Sequence, residues 1–568
     1  MRIKNAGLIL LASLAPVCFG QLTPEQKVED FKVLTALYSK QYAPYEWKKQ
    51  ALGFDMLRTG PWLDRVRQSK DDLDFYEICV EYVASLQDTH DSFSLPSDFF
   101  ATLNLGLDIY DGKVLIEGIN RVRLPLARFP FVVGDEVVSV DGVPVERLLE
   151  DFAKYARQGN LRSTRRIAAA RIAGRPQSRI PHAPDVGESA TVVIRRMSGV
   201  EETYTLPWTK TGTPLTVGPV PSPKQTAAVR PALNEDYEPA EEPTPDYEKA
   251  WRDVQHAGVS EPHALVGYGA RNPIYALPAG FTVRLGTSAA DFFFSGTYQS
   301  GGQRVGYIRI PNYGSLSPVV LAQFEREIAF FEANTDGLVV DQMRNPGGFL
   351  CFGENVVARL TPGEFRPVGY QLRATRARLV GFHNALQNAR AAGADQWIID
   401  LYESLYNQMN QAYSENRGLT GSLPLCGPSM TRQAATDAAG RSIAYTKPLL
   451  MIIDEFSTST GDSVPAMLQD AGRGILFGWR TNGAGGTNTS FATGAYSEGF
   501  TGMTLGLMTR KGPIATPEYP AEPFIENIGV RPDIQVDYMT RDNLLQQGRP
   551  FVAAFTEAIV NAIRTGGK

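Results

Sequence analysis

The chain has 568 residues, enough for two to four domains, and its 43% hydrophobic and 21% charged content is that of an ordinary globular protein. A net charge of −5 offers no basic surface to nucleic acid or an anionic membrane, which excludes those partners. Beyond the leader no apolar run is long enough for stable membrane insertion. The leader itself, MRIKNAGLILLASLAPVCFG, has the order of a secretory signal: basic Arg2 and Lys4, apolar Leu8 to Val17, then small Cys18 and Gly20. The expectation is a signal peptide over 1–20, cleavage near Gly20 and a secreted or periplasmic protein. Three cysteines then remain, Cys79, Cys351 and Cys426. Two readings stand open: a Cys351–Cys426 disulfide with Cys79 buried and free, or three buried thiols. The spacing is not that of a zinc site.

Residues 21–98 read as helical. Thr23-Pro24-Glu25-Gln26 is a capping box with proline at the first helical position, and Phe31, Leu34, Leu37 and Tyr38 repeat at helical spacing. A second apolar face runs from Leu73 to Leu86 and ends in SLQDTHDSF. His90 therefore stands in a polar turn past a helix end, where it can reach across a domain boundary; a surface histidine is the plainer reading.

Residues 99–210 read as β-rich, with strands predicted at 103–109, 113–119, 136–140 and 191–195, and Asp141-Gly142 as a hairpin turn. The stretch VVGDEVVSVDGVPVERLLEDF resembles a PDZ domain as found in secreted peptidases. That resemblance puts a peptide groove near Leu105, Gly106 and Leu107, where strand addition receives a peptide carboxylate. The basic run from Gln158 to Gly187 exceeds a minimal PDZ domain and reads as a solvated helical insertion. Residues 211–290, with NEDYEPAEEPTPDYE in the middle, read as an acidic, proline-rich linker and small subdomain carrying no chemistry.

From about 291 to 541 the pattern becomes strand, helix, strand, which argues for a parallel sheet. VGYIRIPNYGS precedes an amphipathic helix over 317–334, and DGLVVDQMRNPGGFL is a buried strand running into Gly347-Gly348. Two glycines there let backbone approach a substrate and aim an N–H at it, although an ordinary turn also uses them. Residues 366–445 read as a helical insertion placed to cap the site. LLMIIDEFSTSTGDSVPAML then sets a hydroxyl-rich turn between a five-residue apolar strand and a helix, the arrangement that presents a serine oxygen beside free helix N–H groups. PAEPFIENIGVRPDIQV is a turn and strand carrying Glu526, and 542–568 closes as a helix.

Three stretches in this order, DGLVVDQMRNPGG, DEFSTSTGDSVPAMLQDAGRGILFGWRTNGAGG and ENIGVRPDIQV, resemble the tricorn-like and C-terminal-processing serine peptidases. The resemblance implies an α/β protein: a crotonase-like core of ββα units with a PDZ-like domain and an N-terminal helical region. It places the nucleophile on Ser459. The C-terminal-processing branch has a lysine where Gly483-Ala484-Gly485 carries alanine, so a Ser/Lys dyad would need Lys511 from the next strand. The tricorn branch uses a histidine and a glutamate, which fall on His90 and Glu526, with Thr89 in place of that branch's serine.

The resemblance also implies the chemistry, acyl transfer on a peptide or unfolded-protein substrate. His90 serves as base, Glu526 orients the pair directly or through Thr89, and Thr460 with Gly347 or Gly348 supplies the oxyanion hole. No metal or organic cofactor is required. The alternatives are an inactive peptide-binding protein that keeps the fold and a Ser/Lys peptidase using Lys511.

Overall fold

The computed structural model describes residues 21–215 and 267–566. The signal-like leader and most of the proline-rich segment lie outside the described residues.

The N-terminal region is helical, with helices Pro24–Gln41, Tyr45–Leu52, Gly60–Arg67 and Asp72–Ala84. The first starts as its residues dictate: Thr23 Oγ1 accepts the Gln26 N–H at 3.2 Å, and Gln26 Oε1 accepts the Thr23 N–H at 2.9 Å. Its apolar face buries Phe31, Leu34 and Tyr38 with Tyr82, and the same cluster takes in Phe491 and Met503 from the distant core. Strand Ser92–Ser94 pairs antiparallel with Phe500–Gly502, so backbone hydrogen bonds bind this region to the core directly after His90.

The second unit is an antiparallel sheet ordered Leu105–Tyr110, Lys113–Ile119, Glu136–Val140, Ser189–Arg195, Glu201–Pro207. Asp141 (φ 50°) and Gly142 (φ 78°) both have positive φ, the geometry of a type I′ hairpin turn. The helix Leu161–Ala173 is not solvated. Ala168, Ala169 and Ile172 belong to this unit's core, and Arg166 is 2% exposed. Its basic residues meet buried carboxylates, which a composition-based reading cannot detect. Arg166 grips Asp108 through Nε (2.9 Å) and Nη2 (2.6 Å) and reaches Glu455 at 2.9 Å; Arg162 bonds Glu455 at 2.5 Å and Asp537.

The core is a seven-stranded sheet, ordered Thr282–Leu285, Phe294–Ser300, Gln303–Arg309, Gly337–Asp341, Leu449–Ile453, Ile475–Gly478, Ile534–Gln535. From Gln303–Arg309 onward neighbouring strands are parallel. The sheet begins inside the segment read as linker and subdomain: Thr282–Leu285 is an edge strand, too polar to stand out, and Tyr275 donates to Asp341 at 2.9 Å. Side chains alternate across the sheet. Leu449, Met451 and Ile453 meet helices Pro318–Asn334, Leu350–Leu360 and Thr460–Asp470, whereas Leu450 and Ile452 meet the C-terminal helix Arg549–Thr565.

Residues 366–445 contribute strand Gly369–Leu372, which pairs with the long strand Phe500–Ile514, and helices Arg376–Ala391 and Gln396–Ser414. These helices pack on the core through Leu401, Leu405 and Met409. Neither lines the cleft beside Ser459, so they do not cap the site among the described residues. Cys351 and Cys426 are disulfide-bonded across 75 residues, and Cys79 is free and buried.

Candidate active site

Strand Leu449–Ile453 delivers the chain to the turn 454–459, and the helix begins at Thr460. Of the four consecutive hydroxyl residues, Ser457, Thr458 and Thr460 are buried and only Ser459 is partly exposed. Ser457 Oγ donates to the Gln342 carbonyl at 3.1 Å and Thr460 Oγ1 to the Gly348 carbonyl at 2.7 Å. Ser459 sits at φ 59° and ψ −113°, a left-handed conformation that a non-glycine residue adopts only under constraint. The constraint is Asp462, which accepts the Ser459 N–H at 2.8 Å and also the N–H groups of Gly483 (2.8 Å) and Ala484 (3.1 Å). Burial pushes the Asp462 carboxyl up to about 6. Ala484 is fully buried at this junction, where the C-terminal-processing branch has its lysine.

The glycine turn closes on the serine from the other side. A Cβ on Gly347 would lie 2.7 Å from Ser459 Cβ and 2.5 Å from the Thr458 carbonyl oxygen, and Gly347 has φ 90°. The two glycines differ in what their N–H groups do. Gly347 N–H donates to Asn345 Oδ1 at 2.8 Å, so it is taken. Among the described residues the N–H groups of Gly348 and Thr460 have no such acceptor. Asn345 also holds the arrangement together: its carbonyl accepts the Thr458 N–H at 2.9 Å and its Nδ2 donates to the Ile310 carbonyl at 2.9 Å.

Ser459, Thr460, Gly347 and Gly348 line one cleft of about 1210 Å³ with His90 and Thr89. The His90 imidazole is 8% exposed, and neither ring nitrogen has a hydrogen-bond partner among the described residues. Burial lowers its pKa below the usual 6.5; Asp88, 4.0 Å from Nδ1, pulls upward and Lys48 pushes down. The loop is pinned at both ends. Asp88 Oδ1 accepts the His90 N–H at 3.0 Å, and Asp91 Oδ1 accepts the Thr504 N–H at 2.9 Å. Thr89 Oγ1 donates to Asn482 Oδ1 at 2.5 Å and accepts the Gly159 N–H at 2.7 Å. Its hydroxyl is thus taken up by packing contacts and links neither His90 nor Glu526.

Glu526 does not line the cleft. It lies fully buried behind it, with Oε2 accepting the Gly485 N–H at 2.9 Å and Oε1 accepting Lys48 Nζ at 2.5 Å. Lys48, 1% exposed, donates further to Asn527 Oδ1 at 2.7 Å and to the Gln87 carbonyl at 3.1 Å. Burial, then the Asp88 charge, raises the Glu526 pKa, and Lys48 opposes them. No local pattern points to Lys48, because a lysine in a short helix reads as solvated. Its role comes from partners remote in the chain, Gln87 at 39 positions and Glu526 and Asn527 at 478 and 479. Lys511 is exposed and absent from the cleft, which removes it as a base.

Leu105 and Leu107 are 1% and 2% exposed and pack in their own unit's core with Ala168, Ala169 and Ile172. Helix Leu161–Ala173 lies along the strand Leu105–Tyr110, clasped to it through Arg166 and Asp108. Among the described residues Leu105–Tyr110 is an edge strand that pairs only with Lys113–Ile119, and its neighbour on the core side is this helix.

A buried, largely parallel sheet, a strained serine at a helix start and the unspent N–H groups of Thr460 and Gly348 in the same cleft are the arrangement an acyl-transfer hydrolase uses. Residues 304–536 match Peptidase family S41 and residues 101–215 match the PDZ domain; the chain is a serine-type peptidase that carries an S41 peptidase domain and a PDZ domain. It is 25% identical over 594 residues to an uncharacterized protein of Chlamydia muridarum (strain MoPn / Nigg), covering 95% of this chain and 94% of that one. A protein of Chlamydia pneumoniae is 24% identical, covering 99% and 94%. The fold resembles that of mature CPAF with a TM-score of 0.74 at 21% identity, covering 96% of this chain and 99% of that chain. The structure of mature CPAF complexed with lactacystin is similar at TM-score 0.73 and 20% identity, covering 95% and 99%. No helix among the described residues is long and apolar enough to cross a membrane.

Proposed function

We propose that the protein is an extracytoplasmic endopeptidase of the tricorn-type Ser/His branch, acting on peptides or unfolded proteins. Ser459 attacks the peptide carbonyl. Neutral His90 takes its proton and returns it to the leaving amine. The N–H groups of Thr460 and Gly348 bind the oxyanion. Thr89 positions the histidine loop through Asn482 and Gly159. Glu526 acts from behind the cleft, holding Lys48 and the Gly485 turn, and does not touch the imidazole. The leader supports export.

One observation carries the reading: a buried imidazole with no partner on either nitrogen shares a cleft with the strained serine. The test is covalent labelling with a peptidyl phosphonate, followed by intact mass. The wild-type protein takes up one phosphonate, and Ser459→Ala and His90→Ala take up none. A wild-type protein that stays unlabelled would instead be a peptide-binding relative without catalysis.

A further inference from the structure

Several charged side chains line the cleft without a use in the Ser459/His90 mechanism, and Arg157 is the one whose surroundings point to a ligand. Arg157 lines the cleft and is half-buried. No described carboxylate pairs with it, and burial alone lowers its pKa. The contrast with Lys154, also on the cleft wall, is sharp: that amine is paired with Glu77 and Glu81. Asp91 is the sole Asp or Glu among the described residues lining the cleft, and it is buried, with Oδ1 turned to the Thr504 N–H. A half-desolvated guanidinium on a cleft wall, with no carboxylate paired to it among the described residues, is suited to an anionic ligand.

Its place relative to the chemistry is set by backbone. The segment after Arg157 is bolted to the catalytic loops: Gly159 N–H to Thr89 Oγ1, Asn482 Nδ2 to Gln158 Oε1 at 3.3 Å, and Asn160 Nδ2 to the Asn482 carbonyl at 2.9 Å. A Cβ on Gly159 would lie 2.7 Å from the Gly483 carbonyl oxygen, so the approach is as close as backbone allows. Thr89 precedes His90, which places Arg157 on the histidine side of the cleft. That is the side past which the leaving amine departs, because His90 must protonate it.

We propose that Arg157 forms a carboxylate-binding subsite on the leaving-group side, selecting substrates with an acidic group shortly after the scissile bond. This rests on the Ser459/His90 reading. A planar guanidinium takes a carboxylate in a two-point contact, worth about tenfold in kcat/KM where partly desolvated. Two sources supply such a group: an Asp or Glu side chain, or the free C-terminus of a short peptide.

The wild-type protein is incubated with a peptide library of defined ends, and the residues flanking each cut are read by mass spectrometry. Asp and Glu are expected to be enriched about tenfold within three residues after the cut. Matched peptides then carry Glu or Gln at that position, each as free acid and as amide. The wild type prefers Glu about tenfold, Arg157→Gln reduces the ratio to near one, Arg157→Lys keeps part of it, and Arg157→Glu turns it toward Lys. A preference that tracks the free C-terminus supports the subsite and assigns its ligand to the terminal carboxylate. Absence of any acidic preference, or one unchanged in Arg157→Gln, overturns it. Phosphonate labelling of Ser459 keeps the two ideas apart. Labelled wild type with no acidic preference sinks the subsite alone, whereas unlabelled wild type sinks the peptidase mechanism.

Discussion

Ser459 is the residue in which backbone strain and chemistry coincide. Its φ of 59° turns the side chain into the cleft while three neighbouring hydroxyls are buried, and Asp462 holds the turn from below. Removing its oxygen should abolish peptide hydrolysis and leave the fold intact, which circular dichroism and activity on the same Ser459→Ala sample will show. In the proposed mechanism His90 sets the pH response. Only its neutral form accepts a proton, and burial lowers its pKa from 6.5. Activity is therefore lost as pH falls through that lowered pKa, so the acid limb of kcat/KM lies below pH 6.5. An acid limb above that value would mean that another group is titrating. The strained, partly exposed serine was legible in the sequence because a strand, a hydroxyl turn and a helix start adjoin it. The work of Thr89 was not: its partners, Asn482 and Gly159, are remote in the chain.

Two elements bracket the serine, and they differ in how much of them a sequence can disclose. The Gly347–Gly348 turn shows itself by its glycines after a buried strand. The difference between the two shows only in the fold: the Gly347 N–H goes to Asn345, which leaves that of Gly348 as the one the proposed mechanism uses. Gly347→Ala would force a Cβ to within 2.5 Å of the Thr458 carbonyl oxygen and 2.7 Å of Ser459 Cβ. Displacing this turn should lower turnover by about 100-fold, the cost of one lost oxyanion donor, measured as kcat with the folded fraction checked by thermal melting. The helix Leu161–Ala173 reads as solvated because its arginines face carboxylates from three other segments, a charge match that composition cannot register. Arg166→Met strands Asp108 and Glu455 in a buried site and should cost about 3–5 kcal/mol in a urea titration. A loss below about 1 kcal/mol would mean that the clasp is only a surface pair.

Across the whole molecule, the site exists because three units meet. The peptidase core holds Ser459 and the glycine turn. The N-terminal helices bring His90, and the PDZ unit lends the helix and the 154–179 segment that wall the cleft. Lys48 is the joint between the first two, linking Gln87 beside the histidine loop to Glu526 and Asn527 of the core. Lys48→Met leaves Glu526 buried without its cation. A loss of about 3–5 kcal/mol is expected, again by urea titration, with activity falling in parallel because His90 loses its mooring. The Cys351–Cys426 bond closes a 75-residue loop around the helical insertion, and in the chain-entropy picture opening it by Cys426→Ser costs about 4 kcal/mol.

By itself the sequence determined what local patterns encode: a capped amphipathic helix, alternating buried strands, a hydroxyl turn before a helix, and motif order enough to assign an acyl-transfer core. Those features depend on neighbours within a few residues and on periodicity. Only the tertiary structure decided the rest: that Glu526 faces Lys48 and not His90, that helix Leu161–Ala173 packs into the PDZ unit's core and walls the cleft, and that the two helices of the long insertion stay clear of the cleft to which its Tyr370 contributes. Each of these is a choice of partner for a buried charge or an apolar face. Such choices are settled by which distant segments pack together, because an ion in a protein interior must find its counter-charge there or not be buried at all.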